Sequence, residues 1–553
     1  MAGVRGKNLS ARADGVDGDG PTLPAKLAPD GLLIGYSLEE EAHRPVMGFR
    51  FGEAVEDENA DEDMLEPILH TGDGHLITLA RTGAGKGVGC IIPALLRYRG
   101  PIIVIDPKGE NYQVTARRRR ELGQEVLLLD PFGVTGEETG ALNPLDLIDP
   151  RSPEAIDSAA QLAELIVTKQ HTQDPFWDSR AYSLITTMLL FVASGRPPVL
   201  RNLQEMHYLL NQTAEDMDFT FKEIVKSSLP PVRQGGSIKS TAEGKVWASI
   251  LSTAQSHTDF LRSAGAQATL GRSTIDLKAI TRGDPISIYI VVPPEKLESH
   301  GKLLRLWIGV LMAAITQRSR RPELPTLFIL DEAAQLGPLK QLRQAITLLR
   351  GYGLRTWSFW QDLSQLQMLY PNDWKTMINN CEVLQAFGFS NARVARDGGE
   401  LTGFDEWRVL QDLEFTEMVL AIAGDRPVIA RKPNYLEDPA FAGQFDENGF
   451  YGDAPQRRRE IKPPQKPSRR GSLAELKRIR ARERAEAAQG RPPTASEVLD
   501  GKFDLSGPEF SPPENIPDPF LTPDDDETGN RVDKDKTRKP STPNADPGDG
   551  ETP

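Results

Sequence analysis

Residues 75–89 read HLITLARTGAGKGVG: a short apolar run with a β-branched core, a glycine-rich turn ending in Lys86, and the start of an apolar helix. A strand joined to a helix through small residues lets successive backbone N–H groups wrap a phosphate at the helix N-terminus, and a lysine closing the turn meets the terminal phosphates. Thr82, Gly83, Ala84, Gly85, Lys86, Gly87 and Val88 are therefore the candidate nucleotide-binding residues. Two positions depart from the general P-loop pattern. Ala80 stands where a first glycine is usual, and Gly87 where a Ser or Thr hydroxyl would reach Mg²⁺. Taken alone, the stretch leaves a plain glycine turn as the alternative.

A second stretch, LFILDE at residues 327–332, is an apolar strand ending in adjacent carboxylates. Two acids in that position are costly unless they bind a cation or activate water. Asp331 is expected to hold Mg²⁺, directly or through a water, and Glu332 to orient and deprotonate the attacking water. An acid pair capping the next helix is the alternative. A third strand, residues 354–360, ends at Gln361, whose amide would contact the γ-phosphate of ATP or the lytic water. Arg350 closes the helix before that strand. It either compensates the helix dipole or acts as an arginine finger on a neighbouring subunit's nucleotide.

Outward from these stretches, runs at 102–106 and 125–130 repeat the pattern of a buried parallel strand, with helical periodicity between them. Residues 158–168, 177–193, 202–211 and 242–262 are helical in pattern with no strand among them, and strands resume at 285–292. Long helices are expected at 303–317 and 339–349. The predicted architecture is α/β. It comprises a weakly ordered segment 1–65, a P-loop domain in two parts (66–150 and 276–445) with a mainly parallel sheet, an inserted all-α domain (151–275), and a disordered, charged, Pro-rich tail (446–553). The tail is charge-segregated, with thirteen Lys/Arg against four Asp/Glu over residues 457–491, then six against fifteen over 492–553.

Composition narrows the function classes. A net charge of −14 argues against a protein that holds nucleic acid with its whole surface, though not against a local basic channel. Two cysteines, Cys90 and Cys381, form neither a disulfide framework nor a zinc site alone, and they fit a reducing compartment. No secretory signal is present at the start, and no apolar run approaches the roughly 18 residues of a membrane span. The arginine run at 117–120 reads as a solvated helix face in preference to a DNA or lipid contact, and Phe176 and Trp177 as core anchors in preference to base-stacking platforms. The basic segment 457–491 reads as a flexible arm able to reach nucleic acid or anionic lipid.

With these residues in place the sequence resembles the type IV secretion coupling proteins, TraG-like conjugative DNA-transfer ATPases related to the FtsK/HerA translocases. The resemblance runs from about residue 35 to 445. It rests on TGAGKGVG at 82–89, DPKGEN at 106–111, NPLD at 143–146, DPFWD at 174–178, DEAAQLG at 331–337, RGYG at 350–353 and QDLSQL at 361–366. The lysine followed by Gly87 is a form that many members carry. The resemblance implies a RecA-like P-loop NTPase domain bearing an all-α domain, and a homo-hexamer with ATP at its subunit interfaces; a monomer without substrate is the alternative. It places Lys86 on phosphate, Asp331 on Mg²⁺, Glu332 on water, Gln361 as sensor and Arg350 as a finger supplied in trans. Asp106 and Lys108 match a motif near the site without a defined role.

The implied activity is ATP hydrolysis that powers transfer of conjugative DNA, in a relaxase–DNA complex and single-stranded, or of effector proteins, through a type IV secretion channel. A soluble FtsK/HerA-like DNA translocase and a nucleotide-binding cargo receptor with little hydrolysis are the rival readings. Members usually begin with two transmembrane helices, whereas about 80 mostly polar residues precede the loop here. The expected location is therefore cytoplasmic and peripheral at a bacterial inner membrane, with membrane contact only through a partner.

Overall fold

Strands form at short stretches rich in apolar residues. The computed structural model describes residues 22–28, 31–38, 64–167, 175–242, 244–449, 459 and 461. Among them eleven strands join in one sheet: β1 (Leu32–Ser37), β2 (Pro67–His70), β3 (His75–Ala80), β4 (Ile102–Ile105), β5 (Glu125–Leu129), β6 (Ile286–Ile290), β7 (Thr326–Leu330), β8 (Leu354–Trp360), β9 (Cys381–Phe387), β10 (Glu417–Ile422) and β11 (Val428–Arg431). Their order is β2-β1-β11-β10-β9-β3-β8-β7-β4-β6-β5. From β9 through β5 the pairing is parallel. Every residue of β3, β4, β6, β7 and β8 is buried; β4 is apolar throughout, as a strand covered on both faces is expected to be, whereas β8 also buries Arg355, Thr356 and Ser358.

The other half of the sheet is antiparallel and was not anticipated. β10 pairs antiparallel with β9 and β11, and β1 with β11 and β2. Ordered structure therefore begins ahead of residue 66: Leu32, Leu33, Ile34 and Tyr36, placed in the weakly ordered segment 1–65, are buried in β1. The reason is long-range packing, since Leu33 and Tyr36 cluster with Leu96, Val114 and Phe441, all distant in sequence. The remaining expectations for segment 1–65, and almost all of those for the tail 446–553, including its basic stretch, fall outside the described residues.

No strand occurs among the described residues between β5 and β6. Helices there include Ala155–Ile166, Phe176–Gly195, Leu203–Leu210, Ala214–Ile224 and Gly244–Thr258. The Ala214–Ile224 helix, absent from the sequence reading, starts at Thr213, whose hydroxyl accepts from Asp216 N. These helices share a core with the sheet domain, in which Leu162, Leu165 and Ile166 meet Leu306, Trp307 and Val310 of the long helix Pro294–Thr316. The approach is close enough to require Gly309, where an added Cβ would lie 2.3 Å from Leu165 Cδ2.

The arginine run departs from its solvated reading. Arg119 is fully buried on the helix Glu110–Glu121. It donates to Leu95 O at 3.0 Å, Gly100 O at 2.8 Å and Ser287 Oγ at 2.9 Å, and also to Tyr98 O. It thereby satisfies carbonyls left over where the helix Ile92–Arg97 ends and β4 begins. Arg117 and Arg118 pair with Glu121, and Arg117 also with Asp446. Both cysteines are buried and free. No helix among the described residues is long and apolar enough to cross a membrane.

Candidate active site

The sheet order determines what meets at the carboxyl ends of its strands. Because β8 lies between β3 and β7, the residue after β8 stands between the loop after β3 and the acids after β7. Open parallel sheets bind ligands at such a rim. The loop after β3 uses left-handed backbone at Gly83 (φ +80°) and Gly85 (φ +90°), which a side chain would strain. Ala84 N donates to Arg81 O and Gly89 N to Gly85 O, closing the loop onto the helix. The first turn, Gly87–Ile91, is π-helical, with Ile92 N donating to Gly87 O before the chain tightens into Ile92–Arg97. A helix start leaves N–H donors for an anion.

Three predicted residues converge there. Lys86, buried, has its Nζ 3.6 Å from Glu332 Oε2. The other oxygen of that carboxylate accepts from Gln361 Nε2 at 2.8 Å. Gln361 is held in turn by the QDLSQL segment: its N–H donates to Gln365 Oε1 at 2.9 Å, and Asp362 caps the helix Leu363–Leu369 by accepting from Gln365 N. The motif thus supplies both the Gln361 amide and the residues that hold it in place.

Asp331 lies beside this trio. Desolvation pushes its carboxyl well above the usual range, with the Glu332 and Glu110 charges adding to the shift and Lys86 and a hydrogen bond from Asn111 opposing it. Asp106, at the end of β4, is raised in the same direction by its burial and by Asp331. Asn111 donates to Asp106 Oδ1 at 3.3 Å, and Tyr112 N donates to Oδ2 at 2.9 Å. The DPKGEN segment thereby acquires a role that the sequence left open: Asp106 anchors the start of the helix Glu110–Glu121, and Asn111 ties that helix to Asp331. Lys108 is exposed and pairs with Glu110. A desolvated carboxylate beside a phosphate loop fits a hard cation. Mg²⁺ needs few protein ligands when phosphates supply the rest, and no larger His, Cys, Asp or Glu cage exists among the described residues.

Arg350 is not part of this cluster. It precedes β8, at the rim opposite Gln361, where its Nε donates to Asp73 Oδ1 at 2.7 Å and its Nη2 lies 3.4 Å from Glu382. Arg321 also pairs with Asp73, and Arg318 donates to the carbonyls of Tyr352 and Gly353, fixing the turn that carries Arg350. The Arg350 side chain remains 51% exposed. In the helical segment Trp177 packs on the core, but Phe176 is exposed and touches it edge-on, so only the former is a core anchor. Asp178 of the same motif accepts from His257 Nε2 at 3.0 Å, joining two helices.

A family model described as Type IV secretory system Conjugative DNA transfer matches residues 40–402. The chain belongs to this family. Among similar proteins, the chain is 26% identical to conjugal transfer protein TraG of Escherichia coli over 361 residues, 61% of this chain and 56% of that one. It is 27% identical to protein VirD4 of Agrobacterium fabrum over 423 residues, 67% of this chain and 60% of the relative. It therefore spans little more than half the length of these curated relatives. In fold it is similar to plasmid coupling protein TrwB in complex with the non-hydrolysable GTP analogue GDPNP, with a TM-score of 0.51 at 19% identity, covering 68% of this chain and 88% of TrwB. TrwB in complex with ADP and Mg²⁺ gives the same score at 18% identity, over 68% and 90% of the two chains. The fold is a RecA-like P-loop NTPase domain with a helical insertion, as the resemblance implied.

Proposed function

We propose that this chain is an ATP-hydrolysing coupling protein that recruits conjugative DNA with its relaxase, or effector proteins, to a type IV secretion channel and powers their transfer. The observation that carries this reading is the Lys86–Glu332–Gln361 chain of contacts at the carboxyl rim. A triphosphate bound in the loop competes with Glu332 for the Lys86 ammonium. As Lys86 turns to phosphate, the Glu332 carboxylate becomes available to orient and deprotonate a water, while Gln361 keeps it aimed. Asp331 would hold Mg²⁺, which when bound offsets charge on the phosphate oxygens.

Arg350 suits a role in trans. It sits on the rim away from its own Lys86, exposed and mounted on Asp73, so a neighbouring subunit in a homo-hexameric ring is the partner it would serve. Single-stranded DNA is the cargo nucleic acid in this reading. The chain works at the cytoplasmic face of a bacterial inner membrane, held there through channel subunits.

The test is transfer itself. Donor cells in which the chain is replaced by Lys86→Ala or Glu332→Gln should lose cargo transfer while the variant protein accumulates normally. Transfer at the parental level in both variants would remove the reading.

A further inference from the structure

A second lysine lies under the P-loop. Lys432 follows β11 and is 5% exposed, and its ammonium donates to Ala84 O at 3.0 Å. The same ammonium lies 4.3 Å from the ring centroid of Phe387 and 4.5 Å from that of Phe415. Desolvation lowers its affinity for the proton, with a smaller opposing effect from the Cys90 thiol. A buried ammonium held by a carbonyl and two ring faces favours anions nearby and stiffens the loop whose carbonyl it holds.

Phe387 is buried, but Phe415 is 65% exposed. Its edge lies against the loop, since a Cβ added to Gly85 would meet Phe415 Cζ at 3.3 Å. Beyond Lys432 the chain runs along the helix that starts after Lys86: Pro433 O is 3.1 Å from where a Cβ on Gly89 would stand, and Tyr435 N donates to Val88 O. The segment 432–435 thus borders the end of the cradle from which a nucleotide's sugar and base would emerge. A large aromatic face left in water at that place, braced on a fixed cation, has the form of a stacking surface.

On the nucleotide reading above, we propose that Phe415 is the platform on which the nucleobase stacks and that Lys432 is the positioning residue that ties this platform to the P-loop. Stacking uses the π-face that every base has, so the platform adds affinity for nucleotides over bare phosphate chains.

Equilibrium binding of ADP and of inorganic tripolyphosphate to the purified full chain separates the two parts. Phe415→Ala should weaken ADP by about tenfold and leave tripolyphosphate unchanged. Phe415→Trp should bind ADP like the parent, with its indole fluorescence changing on binding. Lys432→Met, which removes both the tie to the loop and the brace of the platform, should weaken both ligands, and ADP by the larger factor; equal weakening would overturn its role in positioning Phe415. The proposal is overturned if Phe415→Ala weakens neither ligand or weakens both equally. Lys86→Ala serves as the separate control: if it leaves both ligands bound as before, the nucleotide reading itself fails, whatever Phe415 does.

Discussion

Gln361 Nε2 and Lys86 Nζ hold opposite oxygens of one carboxylate, that of Glu332, at 2.8 and 3.6 Å. The three side chains come from the ends of different strands, and only the order β3-β8-β7 brings them together. Removing the amide in Gln361→Ala should lower ATP turnover by about 100-fold with little change in nucleotide affinity. Gln365→Ala, which removes only the mount of Gln361, should cost about tenfold. Steady-state kinetics that show the larger effect in KM would contradict this assignment.

Arg350 should act between subunits. Arg350→Ala is expected to reduce turnover by at least about 10³-fold while ADP still binds. Mixing Arg350→Ala with Glu332→Gln, each inactive alone, should restore part of the activity, because some interfaces then pair an intact finger with an intact base. Mixtures no more active than either variant would place Arg350 outside the reaction.

Asp73 gives a pH dependence with a definite sign. Desolvation pushes its carboxyl up, but hydrogen bonds and charge from Arg350 and Arg321 outweigh this and hold it at about 2. A lowered folded-state value means that the ion pairs stabilise fully above the ordinary value of 3.8 and lose that contribution as pH falls toward about 2. The melting midpoint of Asp73→Asn should therefore lie below the parent's at pH 5, by an amount worth about 1 kcal/mol or less, and the gap should narrow toward pH 3. A gap that widens on acidification would contradict the pairing.

Arg119 should behave as a core residue despite its charge. Arg119→Met leaves several buried carbonyls without a donor and is expected to cost about 3 kcal/mol in urea unfolding. Arg117→Ala should leave the urea midpoint nearly unchanged. Equal midpoints for the two variants would restore the solvated-face reading.

The parallel half of the fold was legible because its strands are rich in large apolar and β-branched residues and lead into the residues of the candidate site: 327–330 is apolar throughout, and 75–80 and 354–360 are mostly apolar or aromatic. β1 and β9–β11 gave a weaker signal. Leu32–Ser37 is six residues flanked by polar sequence, and its burial depends on Leu96 and Phe441 far along the chain. In the candidate site, Lys86, Glu332 and Gln361 stand at the ends of strands that the sequence marks, and the structure brings them together with Asp331 beside them. Asn111, Gln365 and Lys432 carry no such mark, because a bridging amide, a backbone mount and a lysine under a loop become visible only once distant segments are in contact. Arg119 misled for the same reason: four consecutive arginines look solvated until one of them finds carbonyls at a strand entrance.

The most direct test is ATP turnover by the purified chain, with and without single-stranded DNA, beside its Glu332→Gln variant. The account predicts turnover that rises with DNA and falls by about 10²–10⁴-fold in the variant, while the variant still binds ATP. Turnover that is absent from the parent under both conditions, or unaltered by Glu332→Gln, would contradict it.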